Sequence, residues 1–216
     1  MELSVRDLKT TDYVSVWDAM KEFTDSRDST TADELWITEH RAVFTMGQAA
    51  KSMHILDPKE IPVVYTDRGG QVTYHGPGQI VAYLLRDLRR VKETVHTFVS
   101  NLEAVMIHTL REYGINASRL EGNPGVYVEN KKIGALGLRI RHGRSYHGIC
   151  LNVDMDLSPY QQINPCGLAG MAVTQIADYV KNTSLEEAVS KLVSAYQTVF
   201  SYDNVAVHNR AMKDFA

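Results

Sequence analysis

Residues Gly125–Asp154 read GVYVENKKIGALGLRIRHGRSYHGICLNVD. A β-rich run at Val126–Val128 meets a polar turn at Glu129–Lys131, and Ile133–Arg141 then runs outward. A second turn at His142–Gly143 sends Ser145–Val153 back. Short β-rich runs separated by such breakers predict consecutive hairpins. Strands joined by tight turns pair antiparallel. The stretch therefore predicts an α/β (α+β) protein with a mixed, largely antiparallel sheet flanked by helices. A doubly wound dinucleotide fold is disfavoured, because it needs alternating strand–helix units around parallel strands.

Working outward, Leu35–Thr38, Ala42–Met46, Ile61–Thr66 and Gln79–Leu85 are further short strand signals bounded by breakers. Three helices show apolar spacing near 3.6 residues. The first spans Thr11 to Thr24, with Val14, Trp17, Met20 and Phe23 on one stripe. The second follows Thr94 and carries Val95, Phe98, Val99, Leu102, Val105, Met106 and Leu110, with Gly114 as its stop. The third starts at Ser184, which forms a capping box with Glu187, and runs through Val189, Leu192, Val193, Tyr196 and Phe200. These stripes are read as core faces without chemistry. No repeat, low-complexity tract or Pro/Gly/Ser linker interrupts the chain, so residues 1–216 are expected to form one catalytic domain.

Composition narrows the function classes. The 216 residues include 23 Lys+Arg and 26 Asp+Glu, a net charge of −3, and 44% are hydrophobic. A chain of this length buries roughly 70% of its unfolded surface and needs no disulfide or metal to fold. No run of about 18 apolar residues occurs, so no membrane span is expected. The first residues, MELSVRDLKTTDYVSVWD, are charged and lack the apolar core of a secretory signal, which makes a cytoplasmic location the expectation. The small negative charge argues against a general nucleic-acid binder.

The two cysteines, Cys150 and Cys166, differ in setting. Neither has the paired spacing of a zinc site, so no metal is expected. Cys150 lies in the strand-like run Gly148-Ile149-Cys150-Leu151 and reads as packing. Cys166 lies in Asn164-Pro165-Cys166-Gly167, where proline and glycine hold it on a turn that presents the thiol. A free thiol titrates near about 8.5, so a nucleophilic role needs an activator, and His75, His147, Lys131 and Lys132 are the candidates. The glycine-rich stretch Arg68-Gly69-Gly70-Gln71-Val72-Thr73-Tyr74-His75-Gly76-Pro77-Gly78-Gln79 permits close backbone approach to a ligand. It lacks the Lys-Ser or Lys-Thr of a phosphate loop. At the second hairpin tip Arg139, Arg141, His142 and Arg144 gather positive charge suited to an acidic partner.

Four motifs then occur in order: RGGQVTYHGPGQ at Arg68–Gln79, KIxxLGLRI at Lys132–Ile140, HGxxLNV at His147–Val153 and INPCG at Ile163–Gly167. Together they resemble the lipoyl(octanoyl) transferase family over nearly the whole chain. The resemblance implies a biotin/lipoate protein ligase-like fold. It implies transfer of an octanoyl group from octanoyl-acyl carrier protein to a specific lysine of a lipoyl domain, the first step of endogenous lipoate biosynthesis. The acceptors it implies are the lipoyl domains of 2-oxoacid dehydrogenase E2 subunits and the glycine cleavage H protein. The family's acyl-bearing cysteine matches Cys166, and the lysine that tunes it matches Lys132. Family substrate contacts carry over onto Arg68, Gly69, Gly70, Gln71, Val72, Thr73, Tyr74 and His75, onto Ala135, Leu136 and Gly137, and onto Gly148, Ile149 and Cys150. The incoming thioester carries its own activation, so no cofactor is expected. Backbone amides near Gly76–Gly78 or at Gly167 are the expected donors to the tetrahedral oxyanion. Two rivals compete: an ATP-dependent lipoate or biotin ligase, which needs no nucleophilic cysteine, and a non-catalytic module that binds acyl carrier protein through the basic tip.

Overall fold

The computed structural model describes residues 1–208. It begins with β1 (Glu2–Thr11), α1 (Tyr13–Ser26), β2 (Asp33–His40), β3 (Val43–Met46), β4 (Val63–Tyr65) and β5 (Val72–His75). It continues through β6 (Gln79–Leu85), α2 (Val95–Arg111), β7 (Ser118–Leu120), β8 (Asn123–Val128), β9 (Lys131–Arg141) and β10 (Arg144–Asn152). Helix α3 (Leu185–Phe200) and β11 (Asn204–His208) complete it. The main sheet has the order β11-β1-β2-β6-β10-β9-β8-β7, and a smaller sheet has the order β4-β3-β5.

The meander anticipated at residues 125–154 is β8, β9 and β10. Each hairpin turns on two residues of positive φ: Glu129 (+50°) and Asn130 (+65°), then His142 (+51°) and Gly143 (+75°). Two consecutive left-handed residues match the twist of the strands they join. Cys150 pairs with Ala135 and Gly148 with Gly137 across β10 and β9. In the main sheet only the β1–β11 and β1–β2 pairs are parallel among the described residues. The mixed, largely antiparallel sheet is therefore present, with helices on both faces.

Strand β6 is buried along its whole length. Ile80, Ala82 and Leu84 face α2 and α3, meeting Phe98, Leu102, Val105, Leu192 and Tyr196. Val81, Tyr83 and Leu85 face α1, meeting Val16, Met20, Trp36 and Tyr146. Period-two alternation sends successive side chains of one strand into two different cores. Helix α1 differs from the predicted stripe. Its buried face is Tyr13, Val16, Ala19, Met20 and Thr24, whereas Val14 is exposed. Ser184 caps α3 as expected, its side chain accepting from the Glu187 N–H at 3.1 Å.

The sequence signals miss four strands: β1, β5, β7 and β11. In β1 the alternation of Leu3 and Val5 breaks at Lys9, where φ is +58° and the register with β2 shifts. Strand β5 lies within the glycine-rich stretch, where pairing with β3 makes it a strand.

A buried ion network ties the distant ends together. Asp33, 1% exposed, accepts from Arg86 (3.2 Å), Arg90, the Tyr202 hydroxyl (2.9 Å) and the Asp87 N–H (3.1 Å). Removing one partner of a buried pair leaves the other charge uncompensated, at a cost of about 3–5 kcal/mol. Asp33→Ala should therefore lower the unfolding free energy by about 3 kcal/mol, read from the urea midpoint. An unchanged midpoint would show that Arg86 is held well enough by Glu93 alone.

Candidate active site

Cys166 occupies the middle of the short turn Pro165–Gly167 with φ +57° and ψ 17°. A non-glycine residue in the left-handed region is held there only when its surroundings over-determine it. Here the Asn164 N–H donates to the His54 carbonyl (2.8 Å), the Gly167 N–H to the Asn164 carbonyl (2.9 Å) and the Leu168 N–H to the Pro165 carbonyl (3.1 Å). These bonds hold the turn and leave Cys166 half-buried, its thiol facing β9.

From β9, Lys132 reaches that thiol. Its Nζ donates to Cys166 Sγ at 2.8 Å and to the Pro124 carbonyl at 3.1 Å, and lies 5.1 Å from the centre of the Tyr127 ring. The lysine is only 5% exposed. Its backbone is gripped by residues 172–174, with the Lys132 N–H donating to Ala172 O (2.9 Å) and the Thr174 N–H to Lys132 O (3.0 Å). Gly125 makes the space: a Cβ there would lie 3.1 Å from Lys132 Cε and 2.7 Å from Gly134 O, and its φ is +126°. Burial pulls the lysine's pKa down, but the charge of Cys166 and the hydrogen bond to its sulfur outweigh that, so it lies above the ordinary 10.5. Lys132 is thus a held cation. A cation in contact with a thiol favours the thiolate form.

Both residues border a cavity of about 350 Å³. Its walls bring together the glycine-rich loop, the middles of β9 and β10, and the start of α2. Among the predicted contacts, residues 68–73, 75, 135–137 and 148–150 line it together with Lys132 and Cys166. Tyr74 does not; it packs against Phe44 and Tyr160 in the small-sheet core. Among the candidate activators only Lys132 bonds Cys166. His75 pairs with Gln79 (2.7 Å), His147 with Asp67 (2.9 Å), and Lys131 is exposed.

One expectation needs correcting. The Gly167 N–H is engaged by Asn164, the Gly78 N–H donates to Glu39 (3.1 Å), and residues 76–78 lie outside the cavity. Those amides are therefore not placed as oxyanion donors. At the basic hairpin tip Arg141 pairs with Asp25 (3.1 Å) and Arg144 with Asp87 (3.4 Å), an acid that Arg89 also engages (2.7 Å), while Arg139 donates to the neutral Gln48 (2.9 Å). The positive charge of the tip is thus matched in part.

Sequence reasoning missed other wall residues. Val95 and Val99, assigned to the core, line the cavity, and so do Tyr13, Tyr83 and residues 122–124. Nothing local marks them, since each comes from a separate element. Arg68 spans the wall from the small sheet, its guanidinium donating to Thr45 O (2.6 Å), Thr45 Oγ1 (2.8 Å) and Gly69 O (2.9 Å). Among the described residues no group of three or more His, Cys, Asp or Glu is arranged to hold a metal ion.

Comparison with known proteins places this fold in a family of catalytic domains. The chain belongs to the family described as the lipoyl protein ligase A/B catalytic domain, which matches residues 12–197. It is 53% identical over 206 residues to an octanoyltransferase of Shewanella loihica, covering 95% of this chain and 94% of that one. It is 51% identical over 210 residues to an octanoyltransferase of Vibrio cholerae, covering 97% of each. Within the family the chain is accordingly an acyltransferase of the octanoyltransferase kind, acting in lipoate biosynthesis. Solved structures share the fold at low identity. A putative lipoate protein ligase from Thermoplasma acidophilum superposes with a TM-score of 0.79 at 18% identity, covering 100% of this chain and 92% of that one. A biotin protein ligase from Aquifex aeolicus gives 0.54 at 10%, covering 92% and 69%. Among the described residues no helix is long and apolar enough to cross a membrane.

The buried imidazoles around the cavity carry a pH consequence. Burial lowers His40 to about 4 and His75 to about 3, and lowers His147 against the pull of Asp67. Their folded values lie below the ordinary 6.5, so the unfolded chain binds protons first as the pH falls. Stability should be level above pH about 7 and decline as the pH drops below about 6.5, before carboxylates titrate. Urea midpoints at neutral and mildly acidic pH test this, and His40→Gln should show the shallower decline. Equal midpoints at both pH values would mean that the rings are not buried neutral.

Proposed function

We propose that the protein takes an octanoyl group from octanoyl-acyl carrier protein onto Cys166 as a thioester and passes it to a lysine of a lipoyl domain. The observation that carries this reading is the 2.8 Å contact from Lys132 Nζ to Cys166 Sγ at the edge of the cavity. A thiol beside a held cation is an activated nucleophile. The sulfur attacks the donor's thioester carbonyl, the donor's C–S bond breaks, and the carrier's thiol leaves with the proton that Lys132 gives up, so that Lys132 becomes a neutral amine. Next, the acceptor lysine's amine attacks the Cys166 thioester. An amide forms, the C–S bond to Cys166 breaks, and the now neutral Lys132 takes the proton released by the amine, which restores the cation beside the freed sulfur. Neither step needs ATP, because the thioester supplies the driving force.

The lipoyl-domain acceptor fits the family's chemistry, and one structural neighbour is described as a bi-partite lipoate protein ligase with its E2 lipoyl domain. The neighbouring lipoate-protein ligase A is described as bound with ATP, which makes an adenylating ligase the second reading. A cysteine hydrogen-bonded to a buried lysine favours the transferase, since adenylation gives such a pair nothing to do.

Incubation with octanoyl-acyl carrier protein without ATP should add one octanoyl mass to the protein, mapped to Cys166, and then to a lipoyl domain. Cys166→Ala should abolish both additions. Lys132→Met should slow acyl-enzyme formation by at least about 100-fold near neutral pH, the lower range for losing a proton-transfer group. Acylation only in the presence of ATP and free octanoate would replace this reading with the ligase.

A further inference from the structure

The cavity has an open and a closed end. Val95, Gly122 and Pro124, on the Lys132 side, are exposed, whereas Tyr13, His75, Tyr83 and His147 are all buried. Those four side chains form a wall of rings. Tyr13 stacks on His75 at 5.9 Å with a 10° interplanar angle, and His147 meets Tyr83 edge-on at 6.3 Å. The polar atoms of the wall are tied together: His75 to Gln79 (2.7 Å), Tyr83 to His40 (2.7 Å), and His147 to Asp67 (2.9 Å) and toward the Tyr13 hydroxyl (3.5 Å). Asp67 is fixed in turn by Trp17 (2.8 Å) and Tyr146.

One residue of the wall is held against local preference. His147 sits within β10 at φ +60°, and its ring stacks on that of its neighbour Tyr146 at 5.0 Å. Regular strand backbone would send adjacent side chains to opposite faces. The left-handed turn of one residue brings the imidazole to the α1 face, where it closes the cavity. Backbone strain of this kind persists where the surroundings enforce it.

The depth suits a short acyl chain. Cys166 shares a small cleft with Ala135 and Cys150, which pair across β9 and β10. His147 pairs with Leu138, three residues further along both strands. Three residues of strand advance about 10 Å. An extended alkyl chain advances roughly 1.25 Å per bond, from a C–C length of about 1.5 Å and an angle near 111°, so the seven C–C bonds of an octanoyl group span roughly 9 Å.

We propose that Tyr13, His75, Tyr83 and His147 form the end wall that gauges acyl-chain length, stopping a saturated chain at eight carbons. This rests on Cys166 as the acyl anchor. The wall meets the terminal methyl with ring carbons, and a longer chain must part rings whose hydrogen bonds are already made. Asp67 acts through His147, as a positioning residue.

The test is transfer of a series of saturated acyl groups, from six to twelve carbons on carrier-protein thioesters, to a lipoyl domain, read by intact mass as kcat/KM for each length. Wild type should peak at eight. Tyr13→Ala should raise the ratio of ten-carbon to eight-carbon transfer by roughly tenfold or more, the scale on which a pocket discriminates one or two methylenes. Tyr13→Phe, which restores the ring, should return the preference to eight. Should Tyr13→Ala not fold, Tyr13→Val removes the same ring at the helix start and is read identically. A folded variant with the wild-type length profile overturns the gauge, and so does one that loses transfer equally at every length. If wild type itself moves no acyl group, the reaction assigned to Cys166 fails and the gauge falls with it. Transfer by wild type with an unshifted variant profile sinks the gauge alone.

Discussion

Burying the ammonium of Lys132 is the constraint around which this molecule is arranged. A lone charge taken out of water is costly unless it is paired and hydrogen-bonded. At 5% exposure Lys132 is compensated by the Pro124 carbonyl, the face of Tyr127 and the sulfur of Cys166. Each requirement shapes a different segment. In β8 Gly125 leaves room for the lysine stem, residues 172–174 grip the strand at Lys132, and a left-handed cysteine presents the thiol.

A second layer links that corner to the rest of the fold through Gln79, which is fully buried. Its carboxamide accepts from or donates to His75 (2.7 Å), Asn152 (2.9 Å) and Tyr160 (3.1 Å). Asn152 in turn donates to the Thr174 carbonyl at 2.9 Å, next to the residues that grip Lys132. A fully satisfied buried network specifies one arrangement, because any shift leaves a polar group without a partner. The glycine-rich loop, the central strand and the Lys132–Cys166 corner are therefore set relative to one another by polar contacts, while the two apolar cores hold the sheet that carries them.

Much of the fold was legible because it is local. The meander, the strand at Gln79–Leu85 and the helices after Thr94 and Ser184 announce themselves by period, breaker and cap. The edges were not. Strand β1 loses its alternation at a bulge, and β11 has little buried apolar surface to signal it. Helix α1 was found, but its inward face was rotated from the predicted one: Tyr13 and Val16 turn in while Val14 turns out. At the basic tip, acids that sequence proximity does not reveal sit against two of the arginines, Asp25 against Arg141 and Asp87 against Arg144.

The sequence by itself determined the class of fold and, through its resemblance to a family, singled out Cys166 and Lys132. A cysteine between proline and glycine, a lysine at the head of a long strand and four ordered motifs are patterns that need no third dimension. Only the tertiary structure decided that Lys132, 34 residues away, donates to Cys166. It alone showed which amides are already engaged and that Tyr13, Tyr83 and Val99 share one cavity. The physical reason is one of range. Propensity, capping and turn chemistry act over a few residues, whereas a cavity wall and the compensation of a buried charge are assembled from elements that meet only once the core has closed.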